Sequence, residues 1–176
     1  EIHGEMLIKN GLCYPPHEVK YEQSIVAPAV NYLFQLYELT GKILYLEEGK
    51  KQLAVLVLFN GHQPDFHMYE NAVRHWDGYW FGKYKNLGDT FPHYWSSLSG
   101  VAFREYEKIT GERSYGVKAE NSLRGVLSMI NSDGSASCAY VYPFMVNNVR
   151  CQYADPWAND QDWALYYYLK EGKNYD

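Results

Sequence analysis

The sequence predicts an all-α protein of repeated helical hairpins, with a small β-hairpin at the end where the long connections gather. An internal repeat is the first observation behind this. Residues 37–61 (YELTGKILYLEEGKKQLAVLVLFNG) match residues 106–134 (YEKITGERSYGVKAENSLRGVLSMINSDG) at an offset of about 70. Thr40-Gly41 answers Thr110-Gly111, Tyr45 answers Tyr115, Leu53 answers Leu123 and Val57 answers Leu127. The second observation is that apolar residues on either side of each Thr-Gly recur at the helical spacing of three and four. The third is another repeat start, EGKNY, at 171–175. Each unit then reads as helix, tight Thr-Gly turn, helix and long connection. One helical hairpin cannot bury its apolar face alone, so such units stack. Tight turns collect at one rim and long connections at the other, and the long-loop rim is where a site belongs.

Taken in order, residues 1–21 read as irregular, because Gly4, Gly11 and Pro15-Pro16 interrupt any continuous helix. A helix is expected over Glu22–Leu39, with Ile25, Ala29, Leu33 and Leu36 in helical register and Gly41 as its C-terminal cap. Pro28 requires either a later start or a kink. The next helix covers about Leu44–Phe59, and its run Leu53 to Phe59 is apolar on every face, which predicts burial all round. Asn60-Gly61 ends it, and a long loop fills 60–92. A third helix over His93–Thr110 puts Trp95, Leu98, Ala102, Tyr106 and Ile109 on one stripe, and Gly111 caps it. A fourth over Ser114–Ile130 turns Ala119, Leu123, Val126, Leu127 and Ile130 inward. After the turn cluster Asn131-Ser132-Asp133-Gly134, residues 135–153 alternate with a period of two around Asn147-Asn148, as a β-hairpin does. A fifth helix runs from near Asp160 to about Lys170. The 176 residues fit one domain with room for a sizeable core.

Composition narrows the function. A net charge of −5 gives no basic footprint, so nucleic acid is not an expected partner. No apolar run reaches membrane-spanning length, so no membrane partner is expected either. Cys13, Cys138 and Cys151 lack CxxC spacing, which points to neither a disulfide framework nor a zinc site. The 18 tyrosines bring aromatics to 17%, and a ring with a hydroxyl suits ligands wet on one side and apolar on the other, as sugars are.

The richest stretch is RHWDGYWFGKYKNLGDTFPHYWSS, residues 74–97, which holds three of the chain's five tryptophans. Its aromatics follow neither core period and are interleaved with glycines, Asp77, Asp89, His75 and His93. That mixture on a long connection reads as a site, or as a packed loop covering helix ends.

The L-x-G-x-x-x-Y hairpins resemble bacterial six-hairpin glycosidase-like proteins. So do the motifs HWDGYWFG (75–82), GDTFPHYW (88–95), DGSASCAYVYP (133–143) and DPWANDQDW (155–163). The resemblance implies part of an (α/α)6 toroid with a carbohydrate cleft at one rim. It covers most of 14–176 and suggests the C-terminal part of a larger toroid, with another helix before residue 14. It implies a glycoside hydrolase using carboxylate acid/base catalysis on an oligo- or polysaccharide. The same architecture also hosts sugar epimerases, polysaccharide lyases and non-catalytic saccharide-binding modules.

Hydrolysis needs two carboxyl groups flanking the scissile bond. Asp89, just ahead of an expected helix start, would be kept ionised by the helix dipole, as a base or nucleophile requires and as a plain cap also would be. Asp77, set among aromatics, has the surroundings of a raised carboxyl suited to a general acid. Glu18 and Glu22 stand before the first helix, where acidic residues also serve the helix dipole. His93, with His75, is the acid/base candidate for a lyase or epimerase. Trp76, Tyr79, Trp80, Tyr94, Trp95 and Trp157 offer flat faces for pyranose rings, and Asp160 offers hydroxyl contacts. Trp163 with Tyr166 and Tyr167 reads as core. The cluster Asp155, Asn159, Asp160 and Asp162 lacks the glycine and terminal glutamate of a calcium loop, so no metal and no cofactor is expected. The expected partner is a carbohydrate, with a second copy of the chain on whatever apolar flank the hairpins leave open.

Overall fold

The computed structural model describes residues 1–12, 23–57, 89–93, 95–136, 139–142, 145–146, 149–150 and 161–171. Within these, α1 spans Ile2–Asn10, α2 Gln23–Thr40, α3 Ile43–Val57, α4 Ser96–Thr110, α5 Arg113–Gly125 and α6 Gln161–Glu171. A 3-10 turn, Val126–Met129, extends α5. Four short strands lie between: β1 (Asp89–His93), β2 (Ala139–Tyr142), β3 (Met145–Val146) and β4 (Val149–Arg150).

The repeat is built the same way twice. Thr40 Oγ1 donates to the Leu36 carbonyl at 2.6 Å and accepts the Lys42 amide at 3.3 Å. Thr110 Oγ1 donates to the Tyr106 carbonyl at 2.8 Å and accepts the Glu112 amide at 3.2 Å. Gly41 and Gly111 take left-handed φ of 67° and 76°, and their amides bond the carbonyls of Tyr37 and Glu107. A side chain would resist that conformation, so the sequence places glycine where the first helix must stop and the second begin.

The helices form two rows. Helix α2 packs on α3 and α4, and α4 in turn packs on α5 and α6. Asn31 of α2 donates to the Leu98 carbonyl of α4, and Arg104 of α4 donates to the Glu171 carbonyl of α6. Asn31 meets Leu98 while Glu38, further along α2, faces Glu105. Ala164 packs near Trp95 while Glu171, at the end of α6, meets Arg104 and Lys108, so α2, α4 and α6 run side by side in one direction. Helices α3 and α5 return behind them. One core cluster joins both hairpins through Val26, Ala27, Val30 and Phe34 of α2, Leu53 and Leu56 of α3, Ala102, Phe103 and Tyr106 of α4, and Ala119 of α5. Both Thr-Gly turns therefore sit at one rim. Trp95 and β1 sit at the other, at the far end of α4, whose 15 residues span about 22 Å.

Several expectations change. Residues 2–10 are helical, not irregular. Gly4 does not break α1; it lets the helix lie against Leu36 and Tyr45, where a Cβ would collide. Helix α2 continues through Pro28, which lies exposed in its second turn and forgoes the one backbone bond an amide there would make to the Ser24 carbonyl. All-round burial of the 53–59 run does not occur, since Ala54 is exposed and Val55 and Val57 are half-buried. Helix α4 starts at Ser96, because Asp89–His93 pairs as a strand. The β-hairpin expected over 135–153 is not supported. Its first arm, β2, pairs antiparallel with the distant β1 instead, leaving only the two-residue ladder of β3 with β4. The β1–β2 register is irregular between Thr90 and His93, the interval holding Pro92, which has no amide to donate.

Among the described residues, the exposed large apolar side chains fall on separate elements: Ile2 and Met6 of α1, Leu39, Ile43 and Leu44 around the first Thr-Gly turn, Val117 of α5, and Tyr166 and Leu169 of α6. They give no support for a second copy of the chain as partner. No helix among the described residues is long and apolar enough to cross a membrane.

Candidate functional site

A groove with a volume of about 310 Å³ runs along the first helical row. Pro28, Asn31, Tyr32 and Gln35 of α2 line one side, Leu98, Val101 and Glu105 of α4 the floor, and Tyr166, Tyr167, Lys170 and Glu171 of α6 the other side. The spacings 28/31/32/35 and 98/101/105 each trace one face of a helix. Leu33 and Phe34 of α2 and Gly100 of α4, which meet the neighbouring helices closely, show where the opposite faces point. Gly49 of α3 lies under Phe34, and Gly100 of α4 lies under Leu123 of α5. The groove is thus the face of the row turned away from α3 and α5.

Its floor is tied together by polar groups. Asn31 is 8% exposed; its Nδ2 donates to the Leu98 carbonyl at 3.1 Å, fixing α2 against α4. Its Oδ1 is buried and has no partner among the described residues. Next to Glu105 in sequence, Arg104 is 4% exposed and donates from each of its three guanidinium nitrogens. It donates to Glu107 at 2.6 Å, Glu120 at 3.1 Å and the Glu171 carbonyl at 3.2 Å. Lys108 bonds both Glu105 and Glu171 at 2.8 Å. Two cations of α4 therefore hold the last turn of α6, where the helix dipole favours positive charge. Beside this cluster the Glu38 carboxyl is pushed above its ordinary value, first by desolvation and then by the negative charge of Glu105.

At the long-loop rim the structure places the backbones of Asp89 and His93 at the two ends of β1, opposite Tyr142 and Ala139 of β2. Asp89 is thus a strand residue well ahead of Ser96, not a cap on α4. Trp95 sits at the start of α4 and packs against the cluster of Val126, Met129 and Ala164. Glu18, Glu22, Asp77, Trp76, Tyr79, Trp80, Tyr94, Trp157 and Asp160, with His75, lie outside the described residues.

The groove was not anticipated. Two signals stood in the sequence: Asn31 and Gln35, a polar pair four apart within the otherwise apolar stretch 25–36, and Tyr166-Tyr167, adjacent aromatics that cannot both face one core. Among the described side chains of α6, Ala164 is buried whereas Tyr166 is 55% exposed, so Tyr166 is not the core residue expected of it.

The chain is similar to a solved structure described as a polysaccharide lyase, with 52% sequence identity and a TM-score of 0.76. The match covers 98% of this chain and 26% of that one, so the chain spans about a quarter of the length of that structure. No family model and no curated protein matches.

Proposed function

We propose that the chain is part of a carbohydrate-active protein, and that its reaction is β-elimination on an acidic polysaccharide, not glycoside hydrolysis. The observation carrying this reading is the 52% identity, along nearly the whole chain, to a structure described as a polysaccharide lyase. The helical hairpins are consistent with part of a toroid.

The two reactions ask for different groups. Hydrolysis needs a carboxyl pair and a water. Elimination needs a base to take the proton from the carbon bearing the uronate carboxylate, and donors that quiet the charge developing there. The C–H pair becomes the new C=C bond, the C–O bond to the next sugar breaks, and the leaving oxygen gains a proton; no water is consumed. In this reading the weight moves from Asp77, Asp89, Glu18 and Glu22 to His93, with His75 or a tyrosine as the other bases. The aromatics Trp76, Tyr79, Trp80, Tyr94, Trp95 and Trp157, with Asp160, remain proposed contacts for the chain of sugars.

The protein from the complete reading frame containing this chain is to be incubated with uronate-bearing polysaccharides. A lyase yields products whose conjugated unsaturated uronate absorbs in the ultraviolet; a hydrolase yields reducing ends without that absorbance. His93→Ala is expected to abolish the absorbing product while leaving the circular dichroism spectrum intact. Reducing ends without ultraviolet absorbance would restore the hydrolase reading.

A further inference from the structure

We propose that the groove between α2, α4 and α6 is a binding subsite for an uncharged sugar unit, held with its ring against Tyr166 and its hydroxyls bonded to Gln35, Glu105 and Lys170. This rests on the carbohydrate-active reading and extends it to a second place, along the face of the helical row.

The groove has the size and chemistry of a small-ligand site. Its volume of about 310 Å³ is at the lower end of the range for such pockets, enough for one or two sugar rings. Its walls alternate rings with hydrogen-bonding groups, as a ligand with apolar faces and a hydroxyl edge requires. Tyr166 leaves 55% of its surface exposed on a helix whose Ala164 is buried. Tyr167 meets it edge-on, with centroids 5.3 Å apart and planes at 67°. The floor is rigid, because Asn31 ties α2 to α4 and Arg104 ties α4 to α6. A pre-formed site loses less ordering entropy on binding than a mobile one.

Charge selects the class of sugar. The cations near the groove are already committed: Lys108 to Glu105 and Glu171, Lys170 to Glu171 at 3.7 Å, and Arg104 to Glu107 and Glu120. Two carboxylates and two ammonium groups face one another, so no surplus positive charge awaits a carboxylate or sulfate. Glu105 and Gln35 instead accept from hydroxyls, and Lys170 donates to them. An acidic polysaccharide that alternates charged and uncharged units would place an uncharged one here.

Calorimetric titration of the 176-residue chain with cellotetraose, tetra-N-acetylchitotetraose and tetragalacturonate tests this. One of the uncharged tetramers is expected to bind, and the acidic one to bind more weakly. Tyr166→Ala and Gln35→Ala, both at exposed positions, are each expected to weaken binding about tenfold with unchanged melting temperature, and Tyr166→Phe to retain it. The proposal is overturned if no tetramer binds, if only tetragalacturonate binds, or if binding ignores both variants. The elimination assay is independent of this. Absorbing product with a silent groove keeps the lyase reading and sinks the subsite, and groove binding without absorbing product does the reverse.

Discussion

Arg104 shows how one side chain organises a helical junction. Its guanidinium is nearly inaccessible and reaches three elements: Glu107 on its own helix, Glu120 on α5 and the last carbonyl of α6. Removing the cation takes one bond from Glu107 and leaves Glu120 to Arg124 at a largely buried junction, which costs more than the pair itself contributes. Arg104→Met is expected to lower stability by about 3 kcal/mol in urea unfolding, with amide exchange rising first in α6. Gly116 belongs to the same junction, because a Cβ there would collide with the Glu107 carboxylate that Arg104 holds in place. Gly116→Ala is therefore expected to cost about 1–3 kcal/mol, although alanine favours helix at an open position. Such residues were not recognisable in advance. Arg104 and Glu120 look like ordinary surface charges until the packing of three helices surrounds them.

At the scale of elements, the Thr-Gly hairpin was the most legible feature. The glycine must be left-handed and the threonine must bridge the turn, so two identical dipeptides with matching flanks define two identical structures. Gly41→Ala and Gly111→Ala are each expected to lose about 1–2 kcal/mol in thermal unfolding, since each forces a side chain into that conformation. Thr40→Val and Thr110→Val remove the two bonds of each hydroxyl and are expected to cost about 1 kcal/mol apiece. Where local rules met tertiary packing, they misled. Gly4 reads as a breaker, yet it serves close approach inside α1. His93 looks like a helix start, yet β1 captures it through a partner about 46 positions away in sequence, a pairing no local pattern reveals. The alternation in 139–142 did predict extended chain, but not its partner.

At the scale of the whole molecule, the two hairpins share one core, and Tyr106 sits where they meet. Its ring lies 5.7 Å from Phe34 of α2 and 4.6 Å from Tyr115 of α5, and its hydroxyl donates to Glu112 at 3.0 Å beside the second Thr-Gly turn. The paired rows were legible because apolar stripes repeat. The groove was not, because it arises from three separate helices whose exposed faces carry no repeat of their own. Tyr106 also gives the assembly a pH limit. Burial, reinforced by the bond to Glu112, raises its phenol from the ordinary value of 10.0 to about 12. The folded chain therefore holds this proton more tightly than the unfolded chain does. The stabilisation is complete below pH 10 and drains away as pH rises from 10 toward 12. Burial raises Tyr45 and Tyr115 in the same direction, so some slope outlives the loss of Tyr106. Tyr106→Phe is expected to be less stable at neutral pH by about 1 kcal/mol, through loss of the Glu112 bond. Its urea midpoint should nevertheless fall less steeply across the alkaline window, so that the two proteins converge. An equal slope in both would mean that the phenol does not carry the alkaline transition and that the shared core loosens first at Tyr45 or Tyr115.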